Sequence, residues 1–286
     1  MRESDIIMKR KKTSPARIIT FLILTLGAFT MILPFIWMLS TSLKGAESVY
    51  TIHPKWIPDP VDWNNYKEIW QASNLITGIK NSSIISFLVL LISTFTTSMS
   101  AFAFAKLRFP GKKIIFMMLL ATMMVPGIVL VVPQFIIYSS INWIDTLLPM
   151  IVPVSLCNIS NIFFQRQYMI GLPNTYIDAA RIDGCSFFGA YWRIFLPLSK
   201  PAIIANSIML FMGTWNDYFN PLIFTHSDSK QTVQVAIAMM NSHYQQQTDI
   251  PLVMVASLIA LIPVLIIFIT CQKYFVESFA MSGIKG

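Results

Sequence analysis

The sequence predicts an all-α fold, a polytopic membrane helix bundle of six spans. Three observations carry this. The 286 residues are 55% hydrophobic and only 12% charged, against the roughly 25% charge of an average soluble domain. Six separate apolar stretches approach the roughly 20 residues a bilayer-crossing helix needs. Lys and Arg are distributed unevenly between the connections. The net charge of +8 would suggest nucleic acid in a soluble protein, but that distribution gives it another origin.

The first span is expected at about 18–43, after a basic tail over 1–17. Lys9, Arg10, Lys11, Lys12 and Arg17 resemble the n-region of a signal peptide. The apolar stretch behind them is too long for an h-region, contains Pro34 and is not followed by an A-x-A site, so a retained span is expected. The others are expected at about 82–105, 114–138, 146–165, 202–225 and 251–272, the last without a charged residue. If the N-terminus is cytoplasmic, the inner segments hold sixteen of the 21 basic residues, and only Lys44, Lys55, Lys67, Lys80 and Lys230 fall outside. This positive-inside bias predicts six spans with both termini cytoplasmic, the tail 273–286 included. The excess charge is then topological, and no nucleic-acid partner is expected.

The outer connection 44–81 is rich in Trp56, Trp63, Tyr66 and Trp70, residues common at membrane–water interfaces. The outer connection 226–250 is polar and reads as a loop. Pro34, Pro126, Pro133, Pro149, Pro153, Pro221 and Pro263 fall inside the spans. Each frees a carbonyl and bends a helix, which bilayer spans tolerate where a neighbour or a wet cavity meets the freed group. Cys157, Cys185 and Cys271 are too widely spaced for a disulfide or zinc pattern. His53, His226 and His243 lie far apart. No metal is expected, and no cluster of catalytic residue types marks an enzyme.

The longest inner connection, about 166–201, contains the loop 170–201, which reads as helix–turn–helix. Asn174 or Thr175 can cap a first helix with Asp178 in its first turn, where the dipole favours an anion. Gly184 suits a left-handed terminating position, Ser186 can cap a second helix, and Pro197 can stop it. Ala179, Ala180 and Ile182 would allow something to approach the first helix closely. Phe187, Phe188, Tyr191, Trp192 and Phe195 make the second strongly apolar, which suits either a partner's groove or the headgroup layer.

This loop resembles the EAA motif of ATP-binding-cassette importer permeases, a pattern of Glu-Ala-Ala, Gly, Ile and Leu-Pro at fixed distances. Here Asp178, Ala179 and Ala180 lead, Gly184 follows, and Ile194, Leu196 and Pro197 close it. Asp178 replaces the usual Glu and Cys185 the common Ala. The segment from Trp215 to Leu222 is similar to that following the motif in carbohydrate-importer permeases, and the ending Ser282–Gly286 is similar to the tail of the smaller maltose-type subunits. The resemblance implies a second homologous permease, a homodimeric cytoplasmic ATPase, an extracytoplasmic sugar-binding protein and a carbohydrate substrate, in a bacterial or archaeal cell membrane. It also implies that ATP and Mg bind the ATPase, leaving this chain without a cofactor, and the chain indeed has no phosphate-binding G-x-x-x-x-G-K-[ST] run.

On this resemblance, Asp178, Ala179, Ala180, Arg181, Asp183, Gly184, Ile194 and Pro197 form the ATPase-coupling loop, and Gly283, Lys285 and Gly286 a tail contact with the ATPase. The outer connection 226–250 would face the binding protein. The residues themselves suggest a substrate path. Asp217 is a carboxylate in an apolar stretch, expensive unless it faces a cavity or a partner helix. Asn216 and Asn220, four apart, would share a helical face and bond sugar hydroxyls, while Trp215 or Tyr218 could stack on a sugar ring. Asp217 could instead pair with another helix, and Trp215 could be an interfacial anchor. An ion-coupled secondary carrier is the alternative; it would more often carry several ionisable residues within its spans.

Overall fold

The computed structural model describes residues 15–51, 55–156, 158–242 and 249–283. Among them every regular element is helical. The main ones are α1 (Pro15–Ser42), α2 (Leu75–Lys106), α3 (Lys112–Thr122), α4 (Val131–Ser140), α5 (Leu148–Leu156), α6 (Ile159–Gly171), α7 (Thr175–Ile182), α8 (Phe187–Leu198), α9 (Lys200–Trp215), α10 (Phe219–Phe224), α11 (Val233–Ser242) and α12 (Ile250–Gly283). Four stretches are long and apolar enough to cross a membrane, or six if two bent pairs each count as one span.

The bends have local causes. α3 and the Gly127–Ser140 stretch meet at 88°, where Pro126 adopts an extended conformation (φ −60°, ψ 128°) and starts a new turn. A proline also disfavours helical geometry in the residue before it. Pro34 and Pro263, by contrast, sit within unbroken helices. α8 and α9 meet at 77°, but the break is at Ser199 and not at Pro197 as expected. A π turn over Tyr191–Phe195 widens the helix, the Leu196 amide bonds the Tyr191 carbonyl, and the chain runs helically through Pro197 to Leu198.

The stretch 202–225 is also not one helix. α9 ends at Trp215, and the Asp217 carboxylate accepts the backbone N–H of Asn220 (3.2 Å) and its side-chain amide (2.9 Å), starting α10. Such capping satisfies amides that a new helix leaves unpaired. Between α5 and α6, Asn158 caps in the same way, its carbonyl oxygen accepting the Asn161 amide at 3.1 Å. The helix expected from 82 begins at Leu75, and the one expected to end near 165 runs to Gly171.

α2 is the central element, touching α5, α6, α9 and α11. Its buried face is largely small or hydroxylated: Gly78, Ser82, Ser86, Ser93, Thr97 and Ala101. Small side chains let helices approach closely in a membrane bundle, and hydroxyls bond across the contact. Thr96 donates to the Ser155 carbonyl (2.6 Å), Gln165 donates to Thr97 (3.3 Å), Thr214 to Ser86 (3.2 Å), and Ser98 shares a hydrogen bond with the Tyr191 hydroxyl (2.7 Å). α12 packs on α1, α9 and α11. α1 is exposed along most of its length.

The connection 226–250 is not simply a solvated loop. Its first part is bound to the bundle and its middle forms α11, with Val233, Val235 and Ala236 buried. The Asn81 amide donates to the Ser229 and Gln231 carbonyls (3.0 and 2.8 Å), and Ser82 accepts the Val233 amide (3.0 Å). Gln245, Gln246 and Gln247 lie outside the described residues.

Asp145 closes the same end. Its carboxylate accepts the backbone amides of His226 (2.9 Å) and Ser227 (2.8 Å) and the Ser227 hydroxyl. The Ser227 hydroxyl and amide, followed by the His226 amide, lower its pKa to about 2 from an ordinary 3.8. A depressed carboxylate pKa gives stability that is present above the ordinary value and lost as pH falls through the depressed one. Asp145→Asn is therefore expected to lower the unfolding temperature at pH 6, and the difference from the parent protein should vanish as pH falls from about 4 towards 2. A pH-independent difference would remove the carboxylate from this role. The left-handed φ of 59° does not confound the test, because Asn tolerates that region.

Candidate functional site

Two features stand out, one at the end of the bundle opposite Asp145 and one beside the middle of α2. The first is α7 and its surroundings. Asn174 precedes α7 without making a side-chain cap. Instead its oxygen accepts Lys106 Nζ (2.9 Å), which also donates to the Leu172 carbonyl (2.6 Å) and lies 5.6 Å from the Phe195 ring centroid. One cation at the end of α2 thus ties down the start of α7. Sequence reasoning assigned Lys106 only to topology, and nothing in its local pattern marks this role.

α7 ends as the sequence predicts. Gly184 has φ +71°, its amide bonds the Arg181 carbonyl (3.1 Å), and the Cys185 amide bonds the Ala180 carbonyl (2.8 Å). This paired arrangement is the Schellman motif, which uses a left-handed residue to satisfy the last carbonyls of a helix. Ser186 then caps α8 by accepting the Gly189 amide at 3.1 Å. A Cβ on residue 189 would sit 2.7 Å from the Cys185 sulfur, so the Cys at 185 and the Gly at 189 fit as a pair.

Ile177 and Ala180, one turn apart, face the bundle and are buried, while Asp178, Ala179, Arg181, Ile182, Asp183 and Gly184 are exposed. The expectation that Ala179, Ala180 and Ile182 together form an approachable surface is corrected for Ala180, which packs inward. The Arg181 guanidinium lies 5.8 Å from the Phe187 ring centroid. The apolar side of α8 also divides. Tyr191 and Phe195 are buried against Phe102, and Ile194 packs on the same cluster. Phe187, Phe188 and Trp192 remain exposed, as does Pro197. Of the expected tail contact, Gly283 closes α12, and Lys285 and Gly286 lie outside the described residues.

The second feature is a cavity of about 430 Å³ where the α5–α6 and α9–α10 breaks meet. Asp217 and Asn220 line it, joined by Asn158, Ser160, Asn161 and Thr214, with Ile85 and Met150 among its apolar walls. The Asn161 side-chain nitrogen is buried and has no hydrogen-bond partner in the protein. The sequence does not single out Asn158 and Asn161, because both lie within the stretch 146–165 that reads as one continuous span. A pair of asparagines three apart beside prolines at 149 and 153 was the available signal.

The remaining path residues are placed elsewhere. Trp215 is corrected outright: it is 2% exposed, stacks on Phe211 at 5.5 Å, and donates its indole N–H to the Ala260 carbonyl (3.0 Å). A tryptophan on a bundle-facing turn next to Phe211 buries more apolar area inside than it could offer a ligand, so stacking on a sugar is not open to it here. Trp215→Ala is expected to destabilise the fold by roughly 3–5 kcal/mol, read as a lower unfolding temperature in detergent; an unchanged temperature would contradict this packing role. Asn216 and Asn220 do not share a helical face, because the helix breaks between them. Asn216 donates to the Met212 carbonyl (2.9 Å) and accepts from Gln234 (3.2 Å). Tyr218 is exposed at the break.

Among the described residues no group of His, Cys, Asp and Glu is arranged to hold a metal. The chain is 31% identical over 284 residues to the arabinooligosaccharides transport system permease protein AraQ of Halalkalibacterium halodurans, covering 97% of this chain and 100% of that one. It is 32% identical over 256 residues to the AraQ protein of Bacillus subtilis, covering 88% and 90%. Its fold is similar to a chain in the crystal structure of a bacterial ABC transporter involved in importing the acidic polysaccharide alginate. That likeness has a TM-score of 0.78 at 22% identity and covers 90% of this chain and 95% of that one. The family model described as the binding-protein-dependent transport system inner membrane component matches residues 94–280, more than half of the sequence and including α7 and every cavity-lining residue except Ile85, and the chain belongs to that family.

Proposed function

We propose that this protein is a permease subunit of an ATP-driven carbohydrate importer, and that it forms the translocation path together with a second, homologous permease. In this reading six spans cross a bacterial or archaeal cell membrane with both termini cytoplasmic, the two bent pairs each counting as a span. The observation that carries the coupling role is α7 itself. It is pinned to the bundle on one face and presents Asp178, Ala179, Arg181 and a fully apolar Ile182, 86% exposed, on the other. A lone exposed apolar residue is ordinary, but Ile182 is joined by Phe187, Phe188 and Trp192, exposed on the helix that follows, and such a surface suits a partner; a cytoplasmic ATPase dimer that binds ATP and Mg is the partner proposed. Ala180, Gly184, Ile194 and Pro197 then act by positioning the helix. The tail around Gly283, Lys285 and Gly286 is proposed as a second contact with the ATPase.

The cavity is proposed as this chain's share of the sugar path. Asp217 and the asparagine carbonyls offer acceptors, and Asn158, Asn161 and Asn220 offer amide donors. Sugar hydroxyls need both, and a buried donor without a partner gains most from receiving one. The relatives named for arabinooligosaccharide transport support an oligosaccharide substrate. An extracytoplasmic sugar-binding protein would deliver it near the 226–233 segment. Movement of α7 with the ATPase would rock the packed spans against the second permease, exchanging access between the two sides.

The test is a mild-detergent pull-down of the tagged chain from native membranes, with partners identified by mass. An ATPase, a second permease and a sugar-binding protein are expected. Recovery of the chain alone, with uptake that survives ATP depletion and stops when the ion gradient collapses, would replace this reading with an ion-coupled carrier.

A further inference from the structure

The run Gly111-Lys112-Lys113, which is no phosphate-binding loop for ATP, lies at a different kind of site. An open cleft of about 740 Å³ runs between the start of α3 and α6, lined by Lys112, Lys113, Arg166, Phe109, Phe116 and Met117. The hydrogen bonds of its cations go to neutral acceptors. Lys112 Nζ donates to the Leu107 carbonyl (2.8 Å) and Arg166 Nε to the Phe104 carbonyl (3.1 Å). The Arg166 guanidinium lies 4.1 Å from the Phe116 ring centroid. Lys106 and Arg108 add charge nearby, and the sequence holds no Asp or Glu between Glu68 and Asp145 or between Asp145 and Asp178. The positive-inside rule accounts for how many cations lie at this end. It does not account for three of them converging on one aromatic-walled cleft with no carboxylate.

We infer that this cleft binds an anionic phospholipid, the phosphate held by Lys112, Lys113 and Arg166 and an acyl chain running along Ile114 and Met117. Phosphate esters suit such a cluster, and basic pockets between spans on the cytoplasmic side are the usual headgroup sites. The walls choose the lipid over a free phosphate. Phe109, Phe116 and Met117 line the cleft beside the cations, and Ile114 and Met117 are 63% and 58% exposed, apolar surface that would meet acyl chains. The inference rests on the proposed orientation, with this end at the inner leaflet, and is independent of whether an ATPase drives transport.

The test is native mass spectrometry of the full-length chain with its co-purifying subunits, in neutral detergent, with phosphatidylglycerol, phosphatidylcholine or inorganic phosphate added. Phosphatidylglycerol should be retained at least about tenfold more strongly than phosphatidylcholine, and millimolar phosphate should not displace it. Each cation near a lipid surface contributes a factor of about five, so Lys112→Gln with Lys113→Gln should weaken retention by roughly 25-fold, and Lys112→Arg with Lys113→Arg should restore it. The arginine pair and an unchanged unfolding temperature of Lys113→Gln alone separate charge from misfolding. Equal retention of the two lipids, displacement by phosphate, indifference to the glutamine pair, or loss of the lipid whenever other subunits are attached would each overturn the inference. A pull-down without an ATPase would leave this result standing and remove only the transport reading.

Discussion

Gly184→Val is expected to abolish transport while leaving the chain inserted in the membrane at normal abundance. Gly184 has φ +71°, and a Cβ there would meet nothing within 4 Å. The substitution therefore acts only through the backbone. A β-branched residue in the left-handed region costs roughly 1–2 kcal/mol, and escaping that region breaks the two amide bonds that terminate α7. The spans do not depend on this turn, but the direction in which α7 presents Ile182 does. Gly184→Asn is the control, since Asn visits the same region with little strain, and most uptake should persist. Valine and asparagine variants with equal uptake would show that the left-handed turn is not what positions α7.

Gly213→Phe should stop uptake by a different route. Gly213 lies one residue before Thr214 on the cavity wall, and a Cβ there would also find open space. A phenyl group projecting from α9 can therefore occupy much of the 430 Å³ cavity without displacing backbone. A helix interior gains from losing a glycine, so expression and unfolding temperature should hold or rise. ATP-driven sugar uptake should fall at least about tenfold while co-purification of partners is unchanged. Undiminished uptake would place the path elsewhere on the molecule.

The apolar stretches and the α7 turn were legible in the sequence because they rest on local physics. A run of apolar residues and a glycine three residues past Arg181 carry their meaning within one or two helical turns. The cavity was half legible. Asp217 could be singled out as a carboxylate in apolar surroundings, and Asn220 by spacing. The helix break between Asn216 and Asn220, which moves one out of the site and keeps the other in, depends on Asp217 bonding forward to Asn220. That turned the expected helical face into a corner. Trp215 was misplaced for a related reason: helical spacing gives the angle between residues but not which direction holds the neighbour, here α12 with its Ala260 carbonyl. Lys106 and Arg166 were counted as topological charge, and only packing showed what each one holds.

α2 runs 32 residues without a break, roughly 48 Å at the rise of an α-helix, while spans on either side of the cavity are interrupted. Asn74 and Asn81 near one end grip the 226–233 segment, Ile85 borders the cavity, and Lys106 at the far end grips the approach to α7. A stiff rod held beside its middle behaves as a seesaw: a tilt that carries one tip inward carries the other tip outward. The 226–233 segment and the approach to α7 are then geared to a single degree of freedom, and moving one without the other would require bending the one long described helix that contains no proline.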